Sequence, residues 1–162
     1  LLIPHLHMHA ILSRGLLLTL LVLVLGTACR KIPVGYLDTA YASFPQKEVQ
    51  VYREVSEDDP HSKSKAYPAP WTSQRIQGVS GTNPVNFDYA GVTVAKGGDA
   101  KIFGQCVQEG LITVRGGTID IFPAAVDKLP NGRYSVNLRV YNEGYSRELT
   151  GLCTFIIQDR AN

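Results

Sequence analysis

The 162-residue chain predicts an all-β fold, a single antiparallel β-sandwich that follows a signal peptide and a short tether. Three observations carry that expectation. Past residue 28 no 3.6-residue apolar period persists for ten residues, so no long amphipathic helix is expected. Short stretches of period-two alternation recur instead, separated by turns rich in glycine and proline. The apolar run Leu16 to Leu25 is closed by Gly26-Thr27-Ala28 and then Cys29, and it is only half the roughly 20 residues that a membrane-spanning helix needs.

Arg14, the apolar run and the small residues before a cut site make the three parts of a secretory signal peptide. The chain opens on Leu1 and Met8 is its only methionine, so residues 1–7 are either upstream of the true start or part of a longer n-region. His5, His7 and His9 lie in the segment to be removed and are given no metal role. A cysteine at the cut site resembles the lipobox of bacterial lipoproteins, in which the thiol is acylated and becomes the new N-terminus. Leu25 sits one place further from Cys29 than that pattern has it. The resemblance implies lipidation at Cys29 and a membrane as partner through the lipid; plain secretion is the alternative. The expected organisation is residues 1–28 as signal peptide, 29–46 as lipidated N-terminus and tether, and 47–162 as the folded domain.

Within that domain Lys47 to Val55 alternates Val49, Val51 and Val55 against polar residues, a half-buried strand. Ser56 to Lys65 is charged and free of large apolar residues, a solvated loop, and the prolines of Tyr67-Pro68-Ala69-Pro70-Trp71 favour an extended path. Residues 72–77 allow a short strand, and Gly78 to Pro84 is turn chemistry. Val85, Phe87 and Tyr89 alternate, Val92 and Val94 resume out of phase, and the slip at Gly91 indicates a bulge. Lys96 to Asp99 reads as a turn, Lys101 to Val107 and Leu111 to Val114 as short strands, and Arg115-Gly116-Gly117 as the turn into Thr118 to Phe122. Pro123 to Leu129 is a connection with room for one helical turn. Tyr134, Val136, Leu138 and Val140 then share one face of the clearest strand in the chain. Asn142-Glu143-Gly144 turns the chain into Leu152 to Ile157, where Cys153, Phe155 and Ile157 share a face.

Charge and cysteine usage narrow the functional classes. All 14 acidic residues and 15 of the 16 basic ones follow residue 28, a balance without the footprint of a nucleic-acid binder. Cys106 and Cys153 could pair in an oxidising compartment or serve as small buried hydrophobes, and both readings stay open. His61 is the sole histidine of the mature part, too little for a zinc site, and no cofactor is implied. Serine chemistry lacks a positioned base, and the carboxylates Asp88, Glu109 and Asp120 form no pair that the sequence singles out. A non-enzymatic module is the expectation.

From Leu129 onward the chain resembles the end of an immunoglobulin-like, PKD or cadherin-type sandwich, where a Pro-x-Gly-x-Tyr run opens the penultimate strand. Here that run is Pro130-Asn131-Gly132-Arg133-Tyr134, and the resemblance gives Tyr134 a corner role, ring in the core and hydroxyl bonded upstream. Together with the lipobox-like cysteine and Gly81-Thr82-Asn83-Pro84-Val85, the chain is similar to small lipoproteins of Bacteroidetes associated with Sus-like polysaccharide-utilisation systems. That similarity implies a cell-envelope, outer-membrane location and polysaccharide or outer-membrane uptake proteins as partners, with no binding residues transferred. Arg30-Lys31 stand where surface-exposed members usually carry acidic residues, leaving the membrane face open.

Sugar binding requires an aromatic face beside hydrogen-bonding side chains. Trp71, with Tyr67, Gln74 and Arg75 close to it in sequence, is the candidate cluster; packing of Trp71 into the core is the competing reading. The function expected is glycan binding or scaffolding of a glycan-uptake assembly, with a structural envelope domain lacking a saccharide ligand as the alternative.

Overall fold

The computed structural model describes residues 35–160; the expected signal peptide, Cys29 and the first part of the expected tether lie outside them. In chain order the elements are β1 (Leu37–Asp38), β2 (Glu48–Tyr52), β3 (Trp71–Thr72), β4 (Ser80–Gly81) and β5 (Asn86–Ala95). Then come α1 (Ala100–Gln108), β6 (Ile112–Arg115), β7 (Thr118–Ile121), α2 (Pro123–Lys128), β8 (Gly132–Tyr141) and β9 (Ser146–Gln158). Strand accounts for 43 % and helix for 12 %, so the fold is mostly β, with several antiparallel sheets and no barrel among the described residues.

The largest sheet runs β2-β9-β8-β5, with β2 parallel to β9 and the other pairs antiparallel. A second sheet runs β3-β7-β6, all antiparallel, and β1 pairs with β4 as a two-stranded sheet. Strand β8 obeys the alternation read from its sequence. Tyr134, Val136, Leu138 and Val140 are buried, while Ser135, Asn137 and Arg139 face the other way. Across from them Cys153, Phe155 and Ile157 of β9 and Val49 and Val51 of β2 are buried too. Ile112, Ile119 and Ile121 of the second sheet and the inner sides of both helices belong to the same apolar cluster. Burial at ~25 cal/mol per Å² of apolar surface makes this shared core the main favourable term in folding. The bulge expected at Gly91 is present, as the β5–β8 register slips between Tyr89 and Gly91.

Helix α1 corrects the sequence reading, which made Lys101 to Val107 a strand. Its start is set by Asp99, whose carboxylate accepts from Lys101 N–H at 2.8 Å and Ile102 N–H at 3.0 Å. Such an N-cap satisfies backbone donors that a helix start leaves unpaired. Its end is a Schellman motif: Leu111 N–H donates to Cys106 O at 2.9 Å and Gly110 N–H to Val107 O at 3.1 Å. Gly110 sits at φ +73°, a conformation that a Cβ disfavours. Phe103 and Cys106 are buried, with Ile102 and Val107 flanking them, a helical stripe too short to stand out in the sequence. Phe103 stacks between Tyr89 (centroids 6.0 Å) and Tyr134 (5.3 Å), fastening α1 to the large sheet.

A second difference concerns the tether. Phe44 is 2 % exposed and belongs to the core, Leu37 is buried in β1, and Ser43 bridges Gln77. Residues 37–44 are therefore part of the fold. Their burial comes from partners far along the chain, which local periodicity does not report.

Candidate functional site

Trp71 opens β3 in register with Ile121 and is 7 % exposed within the core cluster. The ring of His61 stacks on it, centroids 4.3 Å apart and 12° from parallel. His61 is itself held by an Nδ1–H bond to Ala69 O at 2.9 Å, since a carbonyl can only accept. This corrects the stacking platform expected around Trp71: its ring is enclosed by the fold, and a large aromatic gains more by burial than by facing water. Tyr67, by contrast, is 94 % exposed and turned away from the core, so the two rings form no joint surface. The alternation of β3 carries on past its end, with Ser73 buried and bonded through Oγ to Ile119 N–H at 2.9 Å. Gln74 and Arg75 are left exposed.

Arg75 nevertheless lines a groove, of about 420 Å³, together with Tyr36, Ile76, Ser80, Asn83 and Phe87. Tyr36 reaches it from the segment read as tether, and it is 56 % exposed. Its backbone is pinned three ways: its N–H donates to Thr82 Oγ1 at 3.1 Å, and its carbonyl accepts from Thr82 N–H at 3.0 Å and Asn142 Nδ2 at 2.8 Å. Gly81 lets β1 and β4 come together, because a Cβ there would lie 2.9 Å from Tyr36 O. Ile76 supplies a buried wall, its N–H bonded to Gly117 O at 2.9 Å. The pairing of β1 with β4 brings Tyr36 to Arg75, and nothing local to either residue announces it.

A second groove, of about 410 Å³, is lined by Tyr67, Pro68, Leu111, Phe122 and Pro123 and is mainly apolar. The structure therefore separates the four residues proposed from the sequence: Trp71 lies in the core, Arg75 lines one groove, Tyr67 lines the other, and Gln74 is exposed and lines neither. Only Arg75 meets polar company suited to a ligand.

The carboxylates are dispersed. Asp88 pairs with Arg139 at 2.6 Å, Glu109 with Lys128 at 2.5 Å, and Asp120 accepts from Thr72 Oγ1 at 2.7 Å. Among the described residues no group of three or more His, Cys, Asp or Glu comes together. Cys106 and Cys153 are free and buried, and burial pushes the Cys153 thiol up to about 11. Burial also raises the Cys106 thiol, with Lys128 nearby lowering it and Glu109 raising it. Nucleophilicity needs the thiolate, so both act here as small hydrophobes. Among the described residues, no helix is long and apolar enough to cross a membrane. No protein-family model, curated protein or solved structure matches the chain.

Proposed function

We propose that this chain is a non-enzymatic lipoprotein module of the bacterial cell envelope, an immunoglobulin-like sandwich anchored through Cys29 that binds a glycan for an uptake assembly. The strand order supports the fold part of this reading. An immunoglobulin domain puts its second, fifth and fourth strands in one sheet and its third, sixth and seventh in the other. Setting aside the β1–β4 pair, β3-β7-β6 and β5-β8-β9 have that order, with β2 joining beside β9. The corner expected of Tyr134 is in keeping with it, as its hydroxyl donates to Pro130 O at 2.8 Å.

The observation that carries the ligand part is the groove that an exposed tyrosine lines together with an arginine, an asparagine and a serine. Aromatic faces pack on the apolar side of a sugar while polar groups take its hydroxyls, leaving orientation to the polar set. A single site of this size gives weak affinity, with Kd on the order of 10 μM to 1 mM. Native gels cast with a panel of soluble polysaccharides test it: the wild-type chain is retarded by at least one, and Tyr36→Ala migrates freely. A folded wild type that ignores the panel returns the domain to a structural role. The anchor is tested separately, since Cys29→Ser is expected to move the protein from membrane to soluble fraction. Two or more acyl chains are needed for stable attachment, at about 0.8 kcal/mol per buried methylene.

A further inference from the structure

The same groove carries a charge that none of its described lining residues neutralises. Arg53, Arg115, Arg133 and Arg139 each face a carboxylate, respectively Asp159, Asp120, Glu48 and Asp88. Arg75 is exposed, makes no ion pair or hydrogen bond among the described residues, and shares its groove with no aspartate or glutamate. Asp38, the acidic residue nearest in sequence to the groove's β1 wall, spends a carboxylate oxygen on Ala40 N–H at 2.9 Å. The side chains of Tyr36, Ser80 and Asn83 likewise have no partner among the described residues.

Resting on the glycan reading above, we propose that the groove binds the uronate residue of an acidic polysaccharide. A guanidinium presents two parallel N–H donors whose spacing matches the two oxygens of a carboxylate, so Arg75 takes the sugar's C6 carboxylate as a fork. Tyr36 covers the apolar face of the pyranose, and Asn83 and Ser80 serve the ring hydroxyls. Because the backbone of Tyr36 is pinned and Ile76 is buried, little ordering of the protein opposes docking. An anionic membrane surface is less suited to the groove. Lipid headgroups select clusters of several lysines or arginines, whereas here one arginine stands beside an aromatic ring.

The decisive comparison uses one backbone in two charge states. Titration calorimetry of the full chain with oligogalacturonate, its methyl ester and oligomannuronate is expected to give about tenfold tighter binding of the acids than of the ester. Arg75→Gln is expected to bring acid and ester to the same weak affinity, Arg75→Lys to retain part of the preference, and Tyr36→Ala to weaken all three ligands. Arg139→Gln, on another face, leaves binding unchanged. Equal affinity for acid and ester in the wild type overturns the uronate assignment while the glycan reading stands. Loss of every saccharide signal from a folded wild type overturns both. Arg75-dependent sedimentation with phosphatidylglycerol vesicles, without uronate binding, reassigns the groove to a lipid and also overturns the proposal.

Discussion

Tyr134 and Tyr36 are the same side chain in opposite surroundings. Tyr134 is fully buried, stacks on Phe103, donates its hydroxyl to Pro130 O and accepts from Asp99 N–H at 3.3 Å. In Tyr36 it is the backbone that is fixed, while the residue lines the groove, is exposed, and has its hydroxyl unbonded among the described residues. The first ring joins β8, the 130–134 corner and the start of α1, so removing it touches three parts of the fold. The second removes no packing that the core depends on. On the proposed reading, stability and recognition are carried by different aromatic residues, and substitution separates them.

The largest expected effects fall on the buried side. Tyr134→Ala and Trp71→Ala each are expected to cost about 3–5 kcal/mol, read as a fall in the denaturant midpoint, because each leaves a cavity that the core cannot close. Alkali is the next probe. The folded-state pKa of Cys153 is raised from the ordinary 9.0 to about 11 by burial. Its protonated form therefore contributes stability that is complete below pH 9 and is lost as pH rises toward 11. Burial raises the Tyr134 hydroxyl as well, which adds to the loss in the same direction. Unfolding midpoints measured between pH 8 and 11 should fall, and Cys153→Ala should flatten part of that fall. Asp99→Ala is expected to cost about 1 kcal/mol by uncapping α1, visible as lowered stability with the β signal of the circular dichroism spectrum kept. Tyr134→Phe, which deletes the hydroxyl's bond to Pro130 O and the longer one it accepts from Asp99 N–H, should cost about 0.5–1.5 kcal/mol. Tyr36→Ala should change stability by less than about 0.5 kcal/mol while abolishing saccharide retention. A large stability loss in that variant would collapse the contrast between the two tyrosines.

Legibility followed the range of the interactions. The alternation of β8 is visible because a strand that buries one face must repeat every two residues. Gly91 announced its bulge through a phase slip between Tyr89 and Val92, again a local signal. Helix α1 was missed because a nine-residue element with Ile102, Phe103, Cys106 and Val107 as its apolar stripe does not separate from a short buried strand by periodicity. The signal that distinguishes them was Asp99, an N-cap residue that sits at the end of a turn-like Lys96-Gly97-Gly98 run. Trp71 carried two readings, a surface platform with its sequence neighbours or a core residue, and His61, Ile121 and the core enclose it, which decides for the second.

Strand periodicity and turn chemistry both express forces between residues a few positions apart, and they were settled along the chain before any folding. The groove was not. Tyr36 meets Thr82 across 46 positions and Asn142 across 106. Whether a ring at position 36, 67 or 71 faces water depends on such distant partners. Burial is a property of three-dimensional neighbourhoods, so only the folded chain could put Trp71 inside and bring Tyr36 into one groove with an arginine that has no partner among the described residues.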